Sequence, residues 1–427
     1  MLLAVFGTMF LLMLVGVPIA VSIGVSSLVF SAWMPGGIDR AMILTAQKMV
    51  TTADSFTLLA LPFFILAGTL MSNGGISKKL TDLSEAVAGD FPGGLGISAV
   101  VACMFFAAVS GSGPATVAAI GAIMIPAMNE RGYDKGFTGG LLACGGGIGV
   151  LIPPSIPMIV YAVTTGTSVT DLFIAGVVPG LLVGVALMVL TYFMAKKRNY
   201  VGAPRQGGAL WVVGRFWDAK WALLMPIIIL GGIYSGVFTP TEAGVVAVVY
   251  AIALGFITRG LSLSGLCKAM VEAAVITASC LILMGAAGAF AKFLYVKDVP
   301  GMLANLITSF TSSKVVILLI FNVIFLIGGM FIDTLSNIVL FTPLLMPLAT
   351  RIDLDPIHFG ILIVANLALG MVTPPMGVDL FVAANILKTP FEKVLRGSIP
   401  FMLANLVAVL LITYIPALSL WPLQFFR

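Results

Sequence analysis

Gly145-Gly146-Gly147-Ile148-Gly149-Val150-Leu151-Ile152-Pro153-Pro154 interrupts one long apolar run, and 221 residues later Gly370-Met371-Val372-Thr373-Pro374-Pro375 interrupts another. Clustered glycines and a proline pair cannot continue a regular helix. Inside a bilayer, backbone freed in this way persists only where protein or a water-filled cavity satisfies its polar groups. Both stretches therefore read as membrane helices broken near mid-depth.

The same 221-residue shift holds on either side of the breaks without gaps. Pro126 falls on Pro347, Pro179 on Pro400, Gly139 on Gly360, Gly149 on Gly370, Gly176 on Gly397 and Asp134 on Asp355. Before each break lies a second irregular feature. In the first unit, Ser110-Gly111-Ser112-Gly113-Pro114-Ala115-Thr116 divides the apolar segment 95–128. Proline just after such a turn suits a helix start, so the chain folds back there as a re-entrant hairpin. The second unit has the tip Asp333-Thr334-Leu335-Ser336-Asn337 within 315–349. The expected organisation is a first repeat over 1–195 (hairpin 95–128, broken helix 137–165), a basic loop over 196–220, and a second repeat over 221–427 (hairpin 315–349, broken helix 357–387).

Composition agrees. Of 427 residues 60% are hydrophobic and 9% charged, against about 25% charged in an ordinary soluble domain. So few charges cannot cover a soluble surface, which excludes a cytosolic globular enzyme, a nucleic-acid binder and a disordered chain. The first apolar stretch has no basic leader and runs too long for a cleaved signal; 1–33 forms one tilted helix or two short ones around Gly16-Val17-Pro18. The segments 36–53 and 259–274 mix isolated charges with apolar residues and suit helices lying in the interface. Cys103, Cys144, Cys267 and Cys280 show no paired spacing and read as small hydrophobes. A single histidine, His358, excludes zinc or haem sites built on paired histidines.

The charges set orientation. Lys196, Lys197, Arg198, Arg205, Arg215 and Lys220 against the single acid Asp218 make 196–220 cytoplasmic, and Arg131 and Lys135 lie on the same side. The matching stretch of the second unit, 351–355, is net acidic and reads as outside. The repeats are therefore inverted, an architecture of many secondary transporters.

Unwound backbone supplies carbonyl oxygens, and serine, threonine, asparagine and aspartate add more; such hard oxygens suit a sodium ion. Half-helix N-termini beside each tip suit an anionic substrate. Asp333, a carboxylate near mid-membrane, either meets a cation or caps the helix that follows. Ser110, Ser112 and Thr116 either ligate or let helices pack closely. Thr239-Pro240-Thr241-Glu242 reads as a capping box, and Asp379 and Lys292 either line a water-filled path or snorkel.

Pro62-Phe63-Phe64-Ile65-Leu66-Ala67-Gly68, the Ser110–Thr116 tip, Ile152-Pro153-Pro154-Ser155 and Phe238-Thr239-Pro240-Thr241-Glu242-Ala243 together resemble the large membrane subunit of TRAP (tripartite ATP-independent periplasmic) transporters. The likeness covers nearly the whole chain. It implies an all-α polytopic inverted-repeat fold in a bacterial inner membrane, with two re-entrant hairpins and two broken helices. It also implies import of an organic acid anion, of C4-dicarboxylate or sialic acid type, driven by sodium (Na+) through an elevator motion. The partners implied are a small four-helix membrane subunit, expected as a separate chain, and a periplasmic substrate-binding protein. Carried over by resemblance, one sodium site uses Ser110, Ser112, Gly149 and Pro153, and the other Asp333, Asn337, Gly370 and Thr373. The substrate lies between the tips near Thr116, Ser155 and Thr334. Because Ser112 pairs with Asp333 in the repeat, the two sites differ in charge.

The alternatives are a stand-alone sodium/anion symporter of related architecture and, from another class, an intramembrane enzyme. The second lacks any paired carboxylates or histidine-based constellation. A channel suits two dissimilar closed tips poorly.

Overall fold

A computed structural model describes residues 2–31, 37–88, 92–200 and 208–426. Among the described residues there is no strand, and the chain is a succession of helices. The first group comprises α1 (Leu2–Leu14), α2 (Ile19–Ser31), α3 (Gly37–Ala53), α4 (Ala60–Asn73) and α5 (Ile76–Ala88). There follow α6 (Gly94–Ser110), α7 (Gly113–Glu130), α8 (Lys135–Gly146), α9 (Ile156–Thr165) and α10 (Val169–Lys197). The second half holds α11 (Ala209–Tyr234), α12 (Pro240–Ile257), α13 (Leu263–Val296), α14 (Val299–Phe310), α15 (Lys314–Phe331) and α16 (Thr334–Arg351). It closes with α17 (Pro356–Gly370), α18 (Val378–Leu387), α19 (Phe391–Tyr414) and α20 (Ala417–Leu420). Seven helical segments among the described residues are long and apolar enough to cross a bilayer.

A helical hairpin followed by a broken helix occurs twice among the described residues. The first hairpin is α6–α7 and the first broken helix α8–α9, joined through a short 3-10 turn over Gly147–Val150. The second hairpin is α15–α16 and the second broken helix α17–α18. Equivalent residues do equivalent work. Asp134 caps α8 by accepting from the Phe137 amide, and Asp355 caps α17 by accepting from Ile357 and His358. Pro126 and Pro347 lie inside α7 and α16, and Pro179 and Pro400 inside α10 and α19. Both proline pairs, Pro153-Pro154 and Pro374-Pro375, carry a cis peptide.

By contact the helices form two groups, bridged where α5 and α4 pack on α6 and α13 packs on α16. One is built on α13, which packs against α2, α3 and α4, with α12 against α4 and α11 against α5 and α12. The other joins both hairpins and both broken helices with α10 and α19; α8 lies along α19, α15 along α17 and α18 along α7. Gly136 and Gly397 bring the backbones of α8 and α19 into direct contact, and a Cβ at Gly140 would lie 2.5 Å from the Ser398 nitrogen. Within the second body Asn366 donates to Asn322 Oδ1 at 2.6 Å and Thr413 donates to the same oxygen at 2.9 Å, which ties α15, α17 and α19 through buried polar groups. His358 belongs to this packing: its ring nitrogens sit 3.3 Å from Ser419 Oγ and from the Thr413 carbonyl.

Three sequence readings are resolved or revised. The stretch 1–33 is two helices separated around Gly16-Val17-Pro18; positions 32 and 33 lie outside the described residues. The segment 259–274 is not a separate interfacial helix. Ser262 caps α13 through the Gly265 amide, and no proline interrupts the 34 residues that follow. The basic segment 196–220 is partly helical: α10 runs through Lys197, and α11 carries Arg215 and Lys220, while Arg205 lies outside the described residues. Thr239 and Glu242 form the capping box, with the Glu242 carboxylate accepting from the Thr239 amide at 2.8 Å.

Candidate functional site

At the first tip, α6 ends on Gly111, whose φ of +62° favours glycine. A Cβ there would lie 2.6 Å from the Pro154 carbonyl, so the tip is pressed against the first break. The Ile156 amide donates to the Gly111 carbonyl at 3.3 Å and fixes the contact. Ser110 Oγ and Thr116 Oγ1 are 2.9 Å apart, and Thr116 donates to the Ser112 carbonyl at 2.8 Å. Gly149 approaches the same knot: a Cβ on it would lie 2.6 Å from both the Ser112 carbonyl and Thr116 Oγ1. Ser110, Ser112, Thr116 and Gly149 thus form one cluster, with buried Pro153 in the adjoining break. Ser155 is buried, caps α9 and donates to the Val150 carbonyl at 2.6 Å.

The second tip repeats the plan with different chemistry. Asp333 caps α16; its carboxylate accepts from the Leu335 and Ser336 amides at 3.1 and 3.0 Å and from the Ser336 hydroxyl. Capping and an exposed carboxylate coexist here. Asn337 is fully buried, and neither its Oδ1 nor its Nδ2 has a hydrogen-bond partner. Gly370 meets Gly329 backbone to backbone, since a Cβ on Gly370 would lie 2.7 Å from the Gly329 Cα. Thr373 donates to the Leu369 carbonyl at 2.7 Å. The Met376 amide donates to the Met330 carbonyl at 3.1 Å, so break and hairpin are tied as in the first unit.

Between the tips is a cavity of ≈ 220 Å³ walled by Ser112, Gly113 and Pro114 on one side and Asp333, Thr334 and Leu335 on the other. Ile276 and Cys280 of α13 and Ile65 of α4 close it, so it lies where the two bodies meet. Among the described residues Asp333 is its one charged lining residue. The N-termini of α7 and α16 both start at its wall, each with a partial positive charge of roughly half a unit. Ser112 at the start of α7 makes no side-chain cap bond, whereas α16 is capped by a carboxylate. Asp333 thus sets a negative charge beside two helix ends that otherwise favour an anion. Of the sequence-read substrate residues, Thr334 lines this cavity; Thr116 and Ser155 are not in its wall, the Thr116 hydroxyl being engaged with the Ser112 carbonyl of the tip and the Ser155 hydroxyl with the Val150 carbonyl of the first break.

Asp379 and Lys292, which the sequence leaves open between lining a water-filled path and snorkelling, are now placed. Asp379, in the first turn of α18, is fully buried, with neither carboxylate oxygen hydrogen-bonded; a Cβ on Gly113 would lie 2.9 Å from Asp379 Oδ2. Its apolar context in the sequence gave no depth. Lys48 shares a second, outer cavity with Lys292, although 244 positions separate them in the chain. No local pattern brings that pair together.

The sequence pattern of the tripartite ATP-independent periplasmic transporter DctM component matches residues 6–418. The chain is 43% identical over 417 residues to the isethionate TRAP transporter permease protein DctMQ of Oleidesulfovibrio alaskensis, covering 97% of this chain and 65% of that one. It is 43% identical over 377 residues to the C4-dicarboxylate TRAP transporter large permease protein DctM of Pseudomonas aeruginosa, covering 88% of each. It is 36% identical over 407 residues to the sialic acid TRAP transporter permease protein SiaT of Haemophilus influenzae, covering 95% of this chain and 65% of that one. The crystal structure of the Alcanivorax borkumensis YdaH transporter superposes with a TM-score of 0.64, covering 92% of this chain and 91% of that one at 16% identity; it shares the fold.

Proposed function

The chain belongs to the DctM component family of the tripartite ATP-independent periplasmic transporters, and from that membership we propose that it carries an organic acid anion inward together with sodium. It is a multi-pass inner-membrane permease component and not an enzyme. The substrate class we assign is a C4-dicarboxylate or sialic acid type of anion. A periplasmic binding protein delivers it, and a small four-helix membrane subunit accompanies the chain.

One observation carries this reading: a cavity between two helix N-termini whose only charged wall residue, among the described residues, is Asp333. An anion there is repelled by the carboxylate until a cation sits with it, which makes cation and anion binding mutually dependent. Sodium suits the oxygen donors of the tips and breaks, namely backbone carbonyls, the hydroxyls of Ser110, Ser112 and Thr373, and the unpartnered amide of Asn337; of these side chains Ser112 is in the cavity wall and the others stand behind it. Each tip is tied to its own break, so the second body travels as a unit past the α13 and α4 wall in an elevator motion. Charge neutralisation at Asp333 is the step that permits it.

The test is uptake in proteoliposomes holding the complete transporter, with and without a sodium gradient. Asn can still cap a helix, so Asp333→Asn removes the charge and keeps the cap. We expect it to lower sodium-driven uptake by at least tenfold without loss of fold, and Asp333→Ala to cost in addition about 1 kcal/mol of cap stability. Undiminished sodium-driven uptake by Asp333→Asn sinks the assigned role. Transport by this chain alone, without binding protein or small subunit, favours the stand-alone symporter.

A further inference from the structure

The second cavity, of ≈ 600 Å³, is bounded by α3, α9, α13 and α16 and contains no acid in its lining. Lys48 of α3 and Lys292 of α13 both line it, together with Thr52, Thr164 and Tyr295. Among the described residues neither lysine has a carboxylate within ion-pair distance. Thr52 Oγ1 is buried without a partner, while the Tyr295 hydroxyl is spent on the Pro343 carbonyl. Two ammonium groups and a free hydroxyl in an otherwise apolar hollow form a receptor for an anion, and the volume is that of an ordinary small-molecule site.

Its position gives it a purpose. The tip cavity touches α13 at Ile276 and Cys280, and this one touches α13 from Met284 to Val296. At 1.5 Å per residue, Lys292 lies about 18 Å along the helix from Cys280. α16 also runs from one to the other, with Thr334 and Leu335 at the tip cavity and Val339 and Pro343 at the second; α9 does likewise from Ile156 to Thr164. All three lead toward the end that the loop charges assign to the outside. Lysines there run against the positive-inside bias, so topology does not account for them.

We propose that this cavity is the outer vestibule for the transported anion, with Lys48 and Lys292 holding its acid group before it reaches the tips. The proposal rests on the organic-anion reading and adds to it two scaffold residues and a waiting site. At an effective dielectric of about 20, a charge about 12 Å away raises local anion occupancy on the order of tenfold.

Charge-selective labelling tests this independently of transport. In a background with Cys103, Cys144, Cys267 and Cys280 replaced by alanine, Ala291→Cys places a thiol in the cavity wall. Spheroplasts expressing the complete transporter are treated from outside with anionic and cationic methanethiosulfonates. We expect the anionic reagent to be favoured, and the rate ratio to fall at least tenfold in Lys48→Gln/Lys292→Gln. Succinate, isethionate or N-acetylneuraminate should protect the thiol unless the lysines are gone. An unchanged ratio, protection by none of the three, or labelling only from inside overturns the proposal. So does an anionic-lipid effect: a ratio that collapses in vesicles with phosphatidylglycerol, compared with phosphatidylcholine alone, assigns the site to a lipid phosphate. In the otherwise unaltered chain the double variant should raise KM for uptake at least fivefold, with half-saturating sodium unchanged and Lys48→Arg/Lys292→Arg near normal; an unchanged KM also overturns it. Selective labelling in a protein that takes up no organic acid would instead refute the transport reading and leave the anion site standing.

Discussion

Replacing Gly149 with alanine is the smallest change that reaches the first tip. The added Cβ would lie 2.6 Å from the Ser112 carbonyl and from Thr116 Oγ1. Comfortable non-bonded contact begins near 3.5 Å, so relief requires a displacement of about 0.9 Å. The Thr116 hydroxyl cannot simply swing aside, because it bonds to the Ser112 carbonyl and to Ser110 Oγ. The tip itself must move. Overpacking of this kind costs about 1–3 kcal/mol, and a misplacement approaching 1 Å at a positioned site costs on the order of 100-fold in rate. The assay is initial sodium-driven uptake across a sodium series, with thermal unfolding in detergent as the measure of fold. Uptake should fall 30- to 100-fold, about the size such a displacement implies, or half-saturating sodium should rise by roughly tenfold, while Tm drops by no more than a few degrees. Gly231→Ala in α11 is the control: nothing lies within 4 Å of its Cβ, so helix propensity alone should act, stabilising by about 0.5–1 kcal/mol. Uptake by Gly149→Ala within twofold of normal at every sodium concentration refutes the assignment of this cluster to the ion path.

Asp134 is partly desolvated, which pushes its pKa up, but the Phe137 amide and Lys393 at 3.4 Å outweigh that and hold it below the ordinary aspartate value. Its contribution to stability is therefore present above about pH 4 and lost as pH falls through the lowered value; half-exposure keeps it under about 1 kcal/mol. Asp134→Asn keeps the cap and should shallow the acid limb of a Tm-versus-pH profile, and an unaltered limb counts against the pair. Asp379→Asn replaces an unpartnered buried carboxylate by a neutral isostere and should stabilise the fold by about 1–3 kcal/mol; a lower Tm would mean that the carboxylate has a partner in the working protein. Thr239→Ala removes the capping box of α12 and should cost about 0.5–2 kcal/mol, read as a lower unfolding temperature with normal half-saturating sodium.

Features written in local grammar were legible before any coordinates. Pro114 suits a helix start after its turn, Asp333 reads as a helix cap, and Thr239 and Glu242 have capping-box spacing; all behave accordingly. Clustered glycine and proline located both breaks because no regular helix accepts them. Depth and long-range adjacency were not legible. Asp379 reads like any acid near an apolar stretch until the packing of α18 against α7 and α8 buries it. Lys48 and Lys292 meet only because α3 lies along α13. The continuity of α13 was missed for a related reason: scattered charges at its start imitate an interfacial helix, and only its packing against α2, α3 and α4 shows one uninterrupted rod.

The close backbone approaches at Gly149 with Ser112, Gly147 with Ala368 and Gly370 with Gly329 run in series from the first tip through both breaks to the second hairpin, and that has a mechanical consequence. Where helices touch main chain to main chain, no layer of side chains remains to compress or re-rotamerise, so a displacement at one tip passes to the other almost undiminished. The two tips cannot work as independent latches. If each tip holds an ion, as proposed, filling one stiffens the frame that shapes the other, and part of the ordering cost of the second ion is met by the first. Uptake should therefore rise with sodium more steeply than a simple hyperbola, through a shared skeleton and without any direct contact between ions.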